Sequence, residues 1–276
     1  MIIAQQFWDK STSVFPRAGG VYSPRMSREA RALAEYLRKS RVGWAFTGAG
    51  VSTPSGIPDF RGPEGLWRVH DPERVSTIQA FRERPEEFFS FWIERFELMA
   101  RAEPNAVHRL LARLEARGIL RGVITQNIDG LHRKAGSRTV LEVHGNAWTG
   151  TCTGCGKGYE LGWMAARVRE QGVARCGCGA LVKPDVVLFG EQLTPDFQRA
   201  WEEVARCDLL WVLGSSLQVW PAAELVPLAA RNGAVVIIAN RDPTPYDDLA
   251  ALVIRDDLAA LAVAVARALE LEEVEP

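Results

Sequence analysis

Short, largely apolar runs alternate along the chain with stretches in which apolar residues return every three or four positions. The runs at 44–46, 119–125, 139–143, 186–189, 209–213, 234–239 and 252–254 read as strands. Between them, helical spacing predicts a helix capped by Ser27 and running to about Ser40, with Ala30, Leu33, Ala34 and Leu37 on one face. A second opens at Pro104 and stops at Gly118, with Val107, Leu110, Leu111 and Leu114 on its inner face. Further helices fall at about 195–206, 221–231 and 258–270. Over 78–101, Phe81, Phe88, Phe89, Trp92, Phe96 and Met99 recur at helical spacing, interrupted at Pro85. Apolar strands alternating with amphipathic helices predict an α/β fold, a doubly wound parallel sheet of Rossmann-like type covered on both faces. The loops that end its strands, at 48–50, 126–129, 214–216 and 240–242, then converge on one crevice.

The first of these loops is the most informative. Gly48, Ala49 and Gly50 directly follow a strand, and two closely spaced glycines let backbone amides approach a phosphate. The dinucleotide fingerprint of dehydrogenases needs a third glycine where Thr53 stands and a helix starting at once, whereas Pro54 and Pro58 break helix here. No acidic residue ends a second strand about twenty residues on, so an ordinary dehydrogenase is disfavoured.

Composition narrows the class. At 276 residues, 47% hydrophobic and 24% charged, the chain fits a soluble globular protein with one large domain and a smaller insertion. A formal net charge of -1 provides no basic excess for nucleic acid. No run reaches the roughly 18 apolar residues of a membrane span, and the first twenty residues fit neither a secretion signal nor a transit peptide. A cytoplasmic location is expected, with residues 1–26 as an extension lying on the body or loosely attached.

Four of the five cysteines cluster. Cys152 and Cys155 are two residues apart, and Cys176 and Cys178 one apart, each pair with glycines that form a tight turn. Two such knuckles complete a closed, structural zinc site. Buried or redox cysteines are the alternative. The module, about 148–183, is expected between two strands of the main sheet, with Tyr159, Leu161, Trp163 and Met164 packing it against the larger domain. Cys207 reads as a small core residue.

His144 follows a strand and precedes Gly145, so its ring should emerge in the crevice with a pKa suited to proton transfer, although a structural role fits such a histidine equally. His70 and His108 read as surface or helix histidines, and His132 as a structural partner of the adjacent loop. Gln126, Asn127 and Asp129 can hydrogen-bond ribose hydroxyls and a carboxamide, with turn capping the plainer role for the last two.

The segments GAG, SGIPDFRG, TQNIDGLH, VHGN, the paired cysteines, KPDVVLFGE and GSSLQVWPAAEL occur in the order seen in sirtuins, NAD-dependent protein deacylases, and the chain resembles the prokaryotic type over roughly 28–270. The resemblance implies that His144 is the general base, that Asn127 orients the ribose and a water, and that Asp129 with the Ile128 backbone holds the nicotinamide amide. It places Gly48, Ala49, Gly50, Ser52, Thr53, Asp59, Phe60, Arg61, Trp67 and Gln126 against NAD. Phe60 shields the reactive ribose carbon and Arg61 orders the loop, where a surface ion pair of Asp59 and Arg61 is the bland alternative. Gly214, Ser215, Ser216, Asn240, Arg241, Asp257 and Leu258 would serve the phosphates and adenosine, though serine and asparagine at strand ends are also ordinary caps.

Val187 and Phe189 match the walls of the acyl-lysine tunnel, beside a segment that pairs with an extended peptide. Trp92 and Arg95 stand where sirtuins favouring negatively charged acyl groups carry a tyrosine and an arginine, so a neutral acyl group such as acetyl is expected. The partners implied are acyl-lysine proteins or peptides, with NAD consumed and one zinc ion bound; the sequence does not specify the oligomeric state. The catalytic domain, 27–276, is expected to divide into a large domain (27–62, 104–147 and 184–276), a helical insertion (63–103) and the zinc module. The alternatives are a protein ADP-ribosyltransferase and a non-catalytic NAD or ADP-ribose sensor. Sirtuins that are mainly transferases often lack the histidine, and His144, Asn127, Asp129 and Phe60 together weigh against a sensor.

Overall fold

The computed structural model describes residues 24–62 and 65–271. Of the expected N-terminal extension, 1–23 lies outside the described residues, and 24–26 belongs to the first helix, α1 (Pro24–Lys39). Ser27 is therefore inside α1 rather than its cap. β1 (Gly43–Thr47) is wholly buried, with Ala45 on one side of the sheet and Trp44 and Phe46 on the other.

Around β1 the main sheet assembles from β2 (Leu120–Thr125), β3 (Val140–Glu142), β7 (Leu209–Leu213), β8 (Val235–Ala239) and β9 (Leu252–Ile254). All pairs are parallel, in the order β3-β2-β1-β7-β8-β9. This order reverses between β1 and β7, the place where a doubly wound sheet opens a ligand crevice. The register aligns Thr47 with Thr125 and Leu213, and Leu213 with Ala239, so the strands' carboxyl ends share one edge.

α1, α5 (Ala106–Ala116) and α10 (Leu258–Ala268) cover one face through Leu33, Leu37, Leu110, Leu114 and Leu261. α8 (Pro195–Val204) and α9 (Leu225–Arg231) cover the other. α5 begins after Asn105, whose side chain accepts the Val107 amide at 2.9 Å while His108 Nδ1 accepts the Asn105 amide at 3.3 Å. Pro104 precedes this capping box instead of opening the helix.

A second body stands at the carboxyl edge. α2 (Pro72–Val75), α3 (Ile78–Glu83) and α4 (Pro85–Arg101) follow the cofactor loop, with Pro85 dividing the last two. After α6 (Leu131–Lys134) and β3, a small antiparallel sheet, β5-β4-β6, forms from β4 (Gly145–Cys152), β5 (Gly158–Glu160) and β6 (Val182–Val186). α7 (Leu161–Gln171) completes it.

Two expectations are corrected here. The run 186–189 is not a strand of the parallel sheet: β6 ends at Val186, and Phe189 bridges to Thr77. Val186 and Leu188 are buried in the core of the second body, whereas Val187 is half-buried and Phe189 exposed along an open cavity, a distinction the run itself does not encode. Leu161 and Met164 pack with Phe88, Phe89, Trp92 and Phe96, so the arm between the cysteine pairs joins the helical insertion instead of the sheet. Among the described residues, no helix is long and apolar enough to cross a membrane.

Candidate active site

The loops after β1 and β7 touch at the switch point. The Gly48 amide donates to Leu213 O at 3.0 Å, and the Gly50 amide to Gly214 O at 2.9 Å. A Cβ on Gly48 or Gly50 would lie 2.8 Å from Gly214 backbone atoms, so these glycines first of all let two loops pack. The chain then takes two 3-10 turns, 49–51 and 53–55, and starts no helix, as Pro54 requires.

The loop after β2 is wired into this contact. Asn127 Nδ2 donates to Gly48 O and to Ser52 Oγ, both at 3.1 Å, and Ser52 Oγ donates to Asp129 Oδ2 at 2.7 Å. Gln126 Nε2 reaches Ser215 Oγ at 2.8 Å. Burial raises the pKa of Asp129, opposed by the hydrogen bonds from Ser52 and the Leu131 amide.

His144, just past β3, lies with Nδ1 3.0 Å from the carbonyl oxygen of Gln126. A carbonyl only accepts, so Nδ1 carries the proton and Nε2 keeps a lone pair. Burial lowers the pKa of the ring, partly offset by the Gln126 bond. A neutral imidazole of this tautomer is equipped to remove a proton.

Behind the loop, Thr47 Oγ1 donates to Thr125 Oγ1 at 2.8 Å and receives Nε2–H of His132 at 2.9 Å. His132 is thus the internal support that was expected. His108, read as a surface or helix histidine, is the helix kind: it lies in α5, fully buried, with its ring centroid 4.8 Å from that of His132. Burial lowers both, His132 to about 3 and His108 well below its usual value, and the charges of His132 and Arg109 lower His108 further.

An open cavity of about 200 Å³ joins these parts. Its wall includes Ala49, Ser52, Phe60, Arg61 and Trp67 from the first loop, and Gln126, Asn127, Ile128, Asp129 and His144 from the sheet edge. Trp92, Val187 and Phe189 close the apolar side. Phe60 stacks on Trp67 with centroids 5.0 Å apart.

The other predicted contacts lie outside this wall. Gly48, Gly50, Gly214 and Ser215 form the adjoining loop contact, and Thr53 Oγ1 donates to Gly50 O at 3.1 Å. Asp59 accepts the Gly62 amide at 2.8 Å instead of pairing with Arg61. Asn240 Nδ2 turns to Asp242 O at 2.8 Å, and Asp257 caps α10 through the Ala260 amide at 2.8 Å. Leu258 packs against the sheet core, while Ser216 is half-buried and Arg241 exposed.

Arg95 is corrected too. Its guanidinium lies 3.7 Å from the Phe91 ring centroid, bonds the Phe91 carbonyl and approaches His70 Nε2 at 3.3 Å. It forms no part of the cavity wall, and the Trp92 indole N–H is taken by Val75 O. Sequence reasoning passed over Ile57, Pro58, Ser76, Met99, Val219 and Trp220, which also line the cavity. Trp220 is 62% exposed at its mouth. The one signal was Ile57, Pro58, Val219 and Trp220, apolar residues inside motifs that neither strand nor helix periodicity used.

The four clustered cysteine sulfurs lie within 4.8 Å of one another. Hydrogen bonds from the Cys178 amide and the Tyr159 hydroxyl lower Cys176 to about 6, which favours the thiolate a metal needs. Four thiolates on two knuckles fit one structural zinc ion.

A doubly wound parallel sheet with a crevice at its switch point and an inserted module that carries a four-cysteine cluster defines an α/β protein of bipartite build. A model of the Sir2 family matches residues 48–221, and the chain belongs to this family. It is 46% identical over 229 residues to an NAD-dependent protein deacetylase of Sulfolobus acidocaldarius, covering 83% of this chain and 90% of that protein. It is 46% identical over 227 residues to NAD-dependent protein deacylase 2 of Archaeoglobus fulgidus, covering 81% and 89%. Among solved structures, a Sir2 variant with deacetylated p53 peptide and 3'-O-acetyl-ADP-ribose superposes with a TM-score of 0.86 at 40% identity, covering 88% of this chain and 100% of that one. Sir2 with p53 peptide and NAD+ gives 0.81 at 41% identity, covering 86% and 96%.

Proposed function

We propose that the protein is an NAD-dependent protein-lysine deacylase that releases nicotinamide and passes the acyl group to ADP-ribose. The observation that carries this reading is the setting of His144: a neutral ring with a free Nε2, in the wall of a cavity that also holds Asn127, Asp129, Phe60, Val187 and Phe189. Relatives named deacetylases and deacylases over most of their lengths support it.

NAD supplies the glycosidic bond that breaks. Asn127 orients its ribose, Asp129 and the Ile128 backbone hold the nicotinamide amide, and Phe60 on Trp67 screens the reacting carbon from water. His144 Nε2 takes a proton from a ribose hydroxyl. Gly48, Gly50, Gly214, Ser215 and Ser216 serve the phosphates, with Asn240, Arg241, Asp257 and Leu258 towards adenosine. Val187 and Phe189 line the acyl-lysine passage. With Arg95 occupied on Phe91, acetyl or another neutral acyl group is the favoured cargo.

In this reading the sheet body (27–62, 104–147 and 184–276) holds NAD, and the helical insertion and zinc module (63–103 and 148–183) close over the peptide. A thiolate metal site in place of disulfides accords with a cytoplasmic location.

The test is mass spectrometry of an acetyl-lysine peptide with purified protein, with and without NAD, beside His144→Ala. NAD-dependent loss of acetyl with matching nicotinamide and O-acetyl-ADP-ribose, abolished in the variant, is expected. ADP-ribose left on protein would overturn the reading in favour of a transferase, and absence of NAD turnover with several acyl peptides in favour of a sensor.

A further inference from the structure

Segment 183–191 forms an arch that starts inside β6, at Lys183, and ends beyond it at Glu191, so both its ends are charged. Lys183 Nζ donates to Val186 O at 2.7 Å, to Pro184 O at 3.0 Å and to Glu191 Oε2 at 3.1 Å. An ammonium group has three protons, and all three are used inside the arch. The same Glu191 oxygen accepts the Leu188 amide at 2.9 Å. The Lys183 and Glu191 side chains are only 21% and 23% exposed, so solvent screens the pair less than an ordinary surface pair.

The arch is also fastened outwards. The Val187 amide donates to His144 O at 2.8 Å, the Phe189 amide to Ser76 O at 2.9 Å, and Phe189 O receives the Ile78 amide at 3.0 Å. Val187, Phe189 and Glu191 line the cavity, while Lys183 is absent from the cavity wall and bonds none of the loops at 48–50, 126–129 or 214–216.

We propose that Lys183, through Glu191, is a positioning residue for the acyl-peptide half of the site. It ties the two legs of the arch together and so sets the spacing of Val187 and Phe189 around the acyl-lysine. This rests on the deacylase reading above. Loss of the tie loosens the peptide side alone, because the NAD-side loops are held by other bonds.

The test varies acetyl-lysine peptide and NAD separately in steady-state kinetics of the full chain, for wild type, Lys183→Met, Lys183→Arg and Glu191→Gln, with NAD binding to each followed by calorimetry. Lys183→Met should raise the peptide KM about tenfold while NAD affinity and kcat stay within about twofold. Lys183→Arg, which keeps charge and donors, should recover most of the loss, and Glu191→Gln, which still accepts the Leu188 amide, should fall between. An unchanged peptide KM in Lys183→Met would overturn the proposal while leaving the deacylase reading intact. A parallel loss of peptide and NAD affinity with a lowered Tm would overturn it as well, since the tie would then serve the whole fold. Absence of wild-type turnover would remove the deacylase reading and this proposal with it.

Discussion

The Ser52 hydroxyl donates to Asp129 Oδ2 at 2.7 Å while accepting from Asn127 Nδ2 at 3.1 Å, so one oxygen joins the loop after β1 to two polar side chains after β2. Ser52→Ala leaves a buried carboxylate and a buried amide each one partner short. A hydrogen bond to a charged group is worth about 1.5–3 kcal/mol, which corresponds to a roughly ten- to hundredfold fall in kcat/KM for NAD. Steady-state kinetics check it, and a change below about twofold would refute this wiring.

The pH profile should carry the mark of His144. Burial lowers its pKa from the usual 6.5, so the proton-accepting form persists below that pH. The kcat/KM for acetyl-peptide should therefore be level above neutrality and fall only as pH drops through a limb below 6.5. A limb at or above that value would show that the ring is not buried as described.

His108 and His132 bear on stability instead. In the unfolded chain each binds a proton near pH 6.5, whereas the folded pKa of His132 is about 3 and that of His108 is also well depressed. The unfolded state thus holds more protons, and stability is lost as pH falls below about 6.5, at up to about 1.4 kcal/mol per pH unit for each ring. Urea unfolding between pH 7 and 4 should show this slope, and His132→Phe should reduce it.

Metal analysis of the purified protein should find one zinc ion per chain. Cys152 and Cys176 are buried beside the phenylalanine-rich core of the second body, so stripping the metal should lower Tm and peptide turnover together, with both restored by zinc. Full activity after complete metal removal would contradict a structural role.

β1, β2, β7 and β8 were legible because a strand buried on both faces has no polar alternation to disguise it. The glycine loop, Asn127, Asp129, His144 and the four cysteines were legible because their residue types stand at ends of those strands or in fixed pairs. The run 186–189 was not, since apolar character does not tell Val186 and Leu188, buried in a core, from Val187 and Phe189, which line an open cavity. His108 was hidden by its neighbours: Val107, Leu110 and Leu111 account for the inner face of α5, and nothing local marks the capping box that draws the ring inside. The place of Arg95 follows from Phe91 one helical turn away, which competes with any role at the cavity.

His144 is held at two points, by its ring to Gln126 O and by its own carbonyl to the Val187 amide. Its backbone and ring together clip the loop after β2 to the segment that follows β6. The next residue is Gly145, at φ 78°, where a Cβ would sit 2.0 Å from Asp185 O. The closeness of that joint depends on the absence of a single carbon atom.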